Sequence, residues 1–351
     1  IQETILEEEL SMAVTTPTAL KSKDPNEYQR RIRAWTMYDW ANSAFATTVM
    51  AGFFPVFFKQ FWSVGVDVNI STARLGYGNA VAGLLVAAFA PVLGAVADRG
   101  GTRKRFLASF TLLGVAATAT FFWLPQGQWM GAILCYSAGL IGFSGAMIFY
   151  DALLPTVAGP DSLDRVSAFG YAAGYLGGGL LFVVNVAMTL QPHWFGLADS
   201  TAAVQWSFLT VAVWWGGFSL ATFYWVPEPI VLPSPSAGNY IGQAWRQILT
   251  TLRHARDRKP LFLFLLAYWF YIDGVDTIVR MAVDYGLSLG FASNDLIISL
   301  LIVQFIGFPA ALLFGQLGQS WGVRKSIFLG IGIYMVITVW GVMMESKYEF
   351  Y

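Results

Sequence analysis

The chain has 351 residues, 56% of them hydrophobic and only 12% charged, with 21 basic against 21 acidic side chains. That balance is too apolar for a soluble fold of this length and makes lipid the solvent, while a net charge of zero offers no field for nucleic acid. The one cysteine, Cys135, lies in an apolar run, so disulfide and metal-thiolate chemistry are excluded.

Residues 1–33 are polar and rich in Glu, without the basic-then-apolar order of a cleavable signal, so the first apolar segment stays as an anchor. A helix needs about 20 apolar residues to cross about 30 Å of hydrocarbon. Segments of that length run from Ala34 to Trp62, Leu75 to Ala97, Phe106 to Trp123, Trp129 to Val157, Val166 to Thr189 and Val204 to Val226. After residues 227–260, where Pro227, Pro229, Pro233 and Pro235 precede a basic segment, three more follow: Leu261 to Leu289, Ile297 to Leu317 and Ile327 to Met344. The expectation is an all-α, polytopic membrane protein with nine spans. No cofactor or metal site is predicted.

Lys and Arg accumulate in cytoplasmic loops. The N-terminal arm, the second-to-third loop, the fourth-to-fifth loop, the 227–260 linker and the eighth-to-ninth loop together hold 17 of the 21 basic residues. Lys59, Arg74 and Lys347 fall on the opposite side and Arg280 inside a span. This predicts a cytoplasmic N-terminus in a multi-pass protein, of the plasma (inner) membrane if the source is bacterial.

The second-to-third loop, GAVADRGGTRK from Gly94 to Lys104, recurs in the eighth-to-ninth loop as GQLGQSWGVRK from Gly315 to Lys325. Gly94, Gly101, Arg103 and Lys104 reappear at the same interval as Gly315, Gly322, Arg324 and Lys325. The spans are therefore two parallel repeats: residues 34–226 form a six-helix half, 227–260 a cytoplasmic linker, and 261–351 spans seven to nine of a second half.

An ionised side chain at bilayer depth costs at least about 2.5 to 3.5 kcal/mol and persists only where protein or trapped water solvates it. Interior charge falls in span one (Asp39), span four (Asp151) and span seven (Asp273, Asp276, Arg280 and Asp284). At 3.6 residues per turn the four span-seven positions fit a stripe roughly 80° wide. Asp276 and Asp284 each stand four residues from Arg280, the spacing of helical ion pairs. Arg280 and Asp284 are alternatively read as snorkelling to the outer surface. For Asp39 and Asp151, a gate-locking ion pair or a helix cap stands beside solute contact. Asn42 and Ser43 follow Asp39 on its face and form a patch suited to an ammonium group or a proton. Trp35, Trp40 and Trp269 read as interfacial anchors, and Tyr38 and Tyr271, adjacent to carboxylates, as candidate solute contacts. In span five the G-x-x-x-G spacing of Gly170, Gly174 and Gly178 predicts close helix packing. His193 and His254 are expected to be solvated.

Six spans, a cytoplasmic linker and a second copy of the G-x-x-x-D-R-x-G loop resemble the major facilitator superfamily of secondary transporters. The resemblance implies that Gly94, Asp98, Arg99, Gly101, Arg103 and Lys104 form a lock that closes the cytoplasmic side, weaker in the second copy, where Gln319 replaces the Asp. AWTMYDWANSAFATTVMAGFFPVFF from Ala34 to Phe58 and FYDALLP from Phe149 to Pro155 resemble the branch of vacuolar amino-acid effluxers of autophagy and their bacterial relatives. Twelve spans are usual there, and MESKYEFY from Met344 resembles the loop leading into a tenth. The implied activity is alternating-access movement of a small polar solute, amino acids included, coupled to protons and directed outward. A passive facilitator, or a chain that does not transport alone, stays open. A membrane enzyme is disfavoured: there is no His cluster, G-x-S-x-G elbow or phosphate loop beside an acidic pair.

Overall fold

A computed structural model describes residues 25–228 and 256–350, with isolated positions between them. The side chains of Asp98 and Arg99, His254, the arm before Pro25 and most of the 227–260 linker lie outside the described residues. The described chain is helical throughout, without strands. In order the helices are α1 (Pro25–Trp62), α2 (Val68–Gly100), α3 (Arg103–Thr120), α4 (Trp129–Val157) and α5 (Leu163–Leu190). They continue with α6 (Ser200–Trp225), α7 (Lys259–Ser288), α8 (Ser293–Trp321) and α9 (Val323–Met343).

Eight of these are long and apolar enough to cross a bilayer. Helix α6 is the exception to the expected nine. Its 26 residues suffice in length, but Trp206, Trp214, Trp215, Tyr224 and Trp225, with several Ser and Thr, dilute its hydropathy.

Helix ends follow local chemistry. Asp67 and Asp199 cap α2 and α6 by accepting from the backbone N–H of Asn69 and Ala202. Gly101 closes α2 at φ +56°, a left-handed conformation that glycine adopts without steric cost. The carboxylate of Glu228 accepts from the backbone N–H of Lys104 at 3.1 Å, satisfying the first turn of α3.

Helix α1 is the central element, with 89% of its apolar window buried against 0% for α7. Two stretches of it, Phe45–Phe53 and Phe58–Trp62, are wound as π-helix on either side of Pro55. Proline has no N–H to donate and its ring displaces the carbonyl one turn back, so the regular ladder is lost there. The widened turns seat Phe54, Phe58 and Trp62 in a buried aromatic cluster with Phe121, Tyr136 and Phe208. Phe54 and Tyr136 stack at 3.9 Å.

Against α1 lies α5, and the spacing of its glycines explains how closely. A Cβ at Gly177 would sit 2.6 Å from the Trp40 carbonyl oxygen, and one at Gly178 2.8 Å from that of Ser43. With lipid as solvent, such close van der Waals fit holds helices together in place of a hydrophobic driving force. Trp35 and Trp40, expected as interfacial anchors, belong to this interior instead: Trp35 stacks on Tyr150 and Trp40 on Trp214.

Helices α7 to α9 meet α1 to α6 along two seams. Helix α8 runs beside α5, where Gln304 nears Gly179, Tyr175 lies over Gly307, and Ala168 faces Gly315. Helix α7 behaves differently along its length. Val283, Asp284 and Gly286 are buried, Val283 against Val56 and Leu296, whereas the stretch from Lys259 to Asp276 is exposed or half-buried. Helix α7 is thus packed on the first half towards its end, and α8 along its length.

Candidate solute pathway

The end of α7 is held on α1 by charge as well as by packing. Lys59 Nζ lies 2.9 Å from Asp284 Oδ1, both side chains buried. The ammonium directs its hydrogen bond to the Asp284 carbonyl oxygen at 3.3 Å, so the carboxylate contact is an ion pair by distance rather than an aligned hydrogen bond. Gln60 reaches Ser293 at 2.9 Å in the same layer. This corrects two expectations: Asp284 neither snorkels nor lines an open pathway, and Lys59 is a buried partner from α1 rather than a loop charge. One turn back, Arg280 Nη2 donates to Asp276 Oδ2 at 2.9 Å. Asp273 is exposed and makes no ion pair or hydrogen bond among the described residues.

Within the first half, Asp39 is 5% exposed, with no cation within ion-pair distance among the described residues. It turns towards α5: a Cβ at Gly170 would lie 3.2 Å from Asp39 Oδ2, 3.2 Å from the Tyr150 hydroxyl and 2.9 Å from Trp35. Asp151, on the exposed side of α4, is near enough to act electrostatically on Asp39. Ser43 shares the α5 side of α1, with its hydroxyl 2.5 Å from where a Gly174 Cβ would stand. Asn42 does not, because its amide points to Met147 Sδ on α4 at 2.9 Å. Nor is Tyr38 a solute contact. It is fully buried, and its hydroxyl bonds Thr111 on α3 at 2.7 Å.

The tyrosines that do face the carboxylates were not singled out in sequence. Tyr171 and Tyr175 on α5 lie within electrostatic reach of Asp39, and Tyr171 also of Tyr268 on α7. Tyr334 on α9 interacts in the same way with Tyr175, Tyr271 and Asp276. Tyr271, expected beside the pathway, points its hydroxyl at Gly330 on α9. Phenols and carboxylates from α1, α4, α5, α7 and α9 thus stand within electrostatic reach of one another.

At the basic end a cleft of about 710 Å³ opens between α1, α5 and α8, lined by Arg33, Arg165, Gln316 and Gln319 among others. In the loop expected to lock this end, Arg103 donates to the Ala152 carbonyl on α4 at 2.7 Å. Lys104 contributes its backbone N–H to Glu228, while among the described residues nothing lies within 4 Å of where a Gly94 Cβ would stand. The repeated loop turns at Gly322, φ +88°, with Arg324 over the ring of Phe328.

The family profile described as "Vacuole effluxer Atg22 like" matches residues 63–163 and 161–349. The uncharacterized MFS-type transporter YxiO of Bacillus subtilis (strain 168) is 35% identical over 326 residues, covering 92% of this chain and 76% of its own length. Autophagy-related protein 22 of Coccidioides immitis (strain RS) is 20% identical, with 90% of this chain and 69% of that one covered. Among solved structures, a D-xylose-proton symporter superposes with TM-score 0.54 at 13% identity, covering 92% of this chain and 78% of that one. Partially occluded, inward-open XylE from E. coli gives TM-score 0.55 at 14% identity over 84% of this chain and 74% of its own. At such identity these two speak for the fold alone.

Proposed function

We propose that this chain, which belongs to the Atg22-like vacuole effluxer family of the major facilitator superfamily, moves a small polar solute bearing an amino group across the membrane by alternating access. Amino acids fall in that class. Movement is outward and coupled to protons, with the basic end facing the cytoplasm.

One observation carries the reading. Lys59–Asp284 joins α1 to α7 at one end, a cleft of about 710 Å³ lies between α1, α5 and α8 at the basic end, and carboxylates and phenols from both halves stand within electrostatic reach of one another. That is the arrangement alternating access needs: a central site reached from one side at a time, around which two halves rock. Lys59 and Arg280 are paired with Asp284 and Asp276, which leaves Asp39, Asp151 and Asp273 without an ion pair among the described residues. The site therefore suits protons and amino groups better than an anion. Asp273, exposed and without an ion pair among the described residues, is the group we assign to the proton. Asp276 holds Arg280 in place.

The test is solute flux in proteoliposomes under an imposed pH gradient, with amino acids as probes. Coupled transport predicts flux that follows the gradient and collapses with a protonophore. Flux indifferent to both would mark a passive facilitator.

A further inference from the structure

The cleft of about 710 Å³ at the basic end is bounded by both halves of the molecule, α1 and α5 on one side and α8 on the other. Its first-half wall carries two guanidinium groups, Arg33 and Arg165, and its second-half wall two carboxamides, Gln316 and Gln319. Among the described residues no Asp or Glu lines it. Asp161 and Asp164 stand close to Arg165 in sequence but outside the lining. Both arginines are exposed, and neither makes an ion pair or a hydrogen bond among the described residues.

The walls are held in place by other contacts. The hydroxyls of Tyr28 and Ser162 lie 3.2 Å apart and tie the start of α1 to the turn that leads into α5. Helix α8 approaches α5 so closely that a Cβ at Gly315 would fall 2.6 Å from that of Ala168. Gln316 and Gln319, three residues apart, share one face of α8. The internal repeat adds a second observation. Position 319 is the counterpart of position 98, which is Asp in the first copy of the loop. The second copy has a neutral amide there, so α8 brings no carboxylate to Arg33 and Arg165.

We propose that this cleft binds a phosphate group, carried by a membrane lipid or free in solution, and that the bound phosphate joins α1 and α5 to α8. The proposal goes beyond the transport reading and does not depend on it. A guanidinium presents paired N–H donors in the geometry of phosphate oxygens, and charge-assisted bonds of this kind are about twice as strong as neutral ones. The carboxamide N–H groups of Gln316 and Gln319 supply donors from the other half. A hard metal cation needs carboxylate or carbonyl oxygens, and two like charges repel it. Phe169 and Leu312 give the cleft an apolar side as well, which the glycerol and upper acyl chain of a lipid would cover. Because the ligand touches both halves, its binding favours the arrangement in which the cleft is formed.

The experiment uses the full chain in a maltoside detergent, which carries no phosphate, and reads the unfolding midpoint. Inorganic phosphate is added against chloride at constant ionic strength in one arm, phosphatidylglycerol in a second, and oleate, an anionic amphiphile without phosphate, in a third. A saturable rise with phosphatidylglycerol alone assigns a lipid headgroup, and a rise with inorganic phosphate as well assigns the phosphate itself; either supports the site. Arg33→Gln and Arg165→Gln each weaken the effect by about 10-fold or more, the scale of one hydrogen bond to a charged group. Gln319→Asp, which places the carboxylate of the first copy in the cleft, abolishes it. Arg105→Gln, at an exposed arginine outside the lining, leaves it unchanged. No rise from either phosphate source, an equal rise with oleate, or a rise unaltered in both Arg33→Gln and Arg165→Gln overturns the proposal.

Discussion

Lys59, near the end of α1, and Asp284, near the end of α7, form a buried ion pair 2.9 Å long that joins the two halves at one end only. Removing one member of a buried pair costs about 3 to 5 kcal/mol, because the other charge is left without a partner. A shift of about 5.5 kcal/mol carries a two-state gate from 1:99 to 99:1, so Lys59→Met should open this end substantially. With Cys135 replaced by Ser, a cysteine introduced at Val283 should gain reactivity towards a thiol reagent in the Lys59→Met background. The double variant Lys59→Met/Asp284→Leu, which leaves no charge stranded, should lose most of that gain. Equal reactivity in all three backgrounds would contradict the lock.

The α1–α5 seam should be intolerant of a single methyl group. Gly178→Ala forces a Cβ to within 2.8 Å of a backbone oxygen, and overpacking of this kind costs about 1 to 3 kcal/mol. At Gly217, on the exposed face of α6, nothing lies within 4 Å. Gly217→Ala should therefore cause no loss of stability, alanine being the better helix former by about 1 kcal/mol. Unfolding midpoints in detergent compare the two, and similar losses at both sites would remove the packing argument.

Glu228 caps α3 from beyond the end of α6. Glu228→Ala should cost about 1 kcal/mol through loss of that cap. Glu228→Gln, which retains an acceptor, should cost less. The same thermal measurement decides, and an unaltered midpoint in Glu228→Ala would show that the cap adds nothing.

Much of the fold was legible because lipid leaves the backbone few options: apolar stretches of sufficient length must be helices. The glycines of α5 were legible for a related reason, since small residues mark close packing. Choosing the right aromatic was harder. Tyr38 precedes Asp39 in sequence, but adjacent helical residues point about 100° apart, so Tyr38 faces Thr111 while Asp39 faces Gly170. Tyr150 was within reach of the sequence, standing beside Asp151 in FYDALLP, but its approach to Asp39 is a tertiary contact. Lys59 was placed outside because no periodic rule sees a lysine one hundred or more residues from its carboxylate. The π-wound turns of α1 also break the angular count beyond Ala44.

Orientation rests on the 17 basic residues gathered on one side. In a Cys135→Ser background, cysteines at Ser22 and Ser236 should resist a membrane-impermeant thiol reagent in intact cells, and one at Ser200 should react. Labelling of the first two would reverse the topology.

Proton coupling through α7 is the central claim, and Asp273→Asn in proteoliposomes of the full chain tests it most directly. The variant should lose flux driven by an imposed pH gradient while still exchanging labelled for unlabelled solute without a gradient, and Asp276→Asn, which frees Arg280, should impair both. Gradient-driven flux that survives Asp273→Asn with its pH dependence unchanged would contradict the assignment.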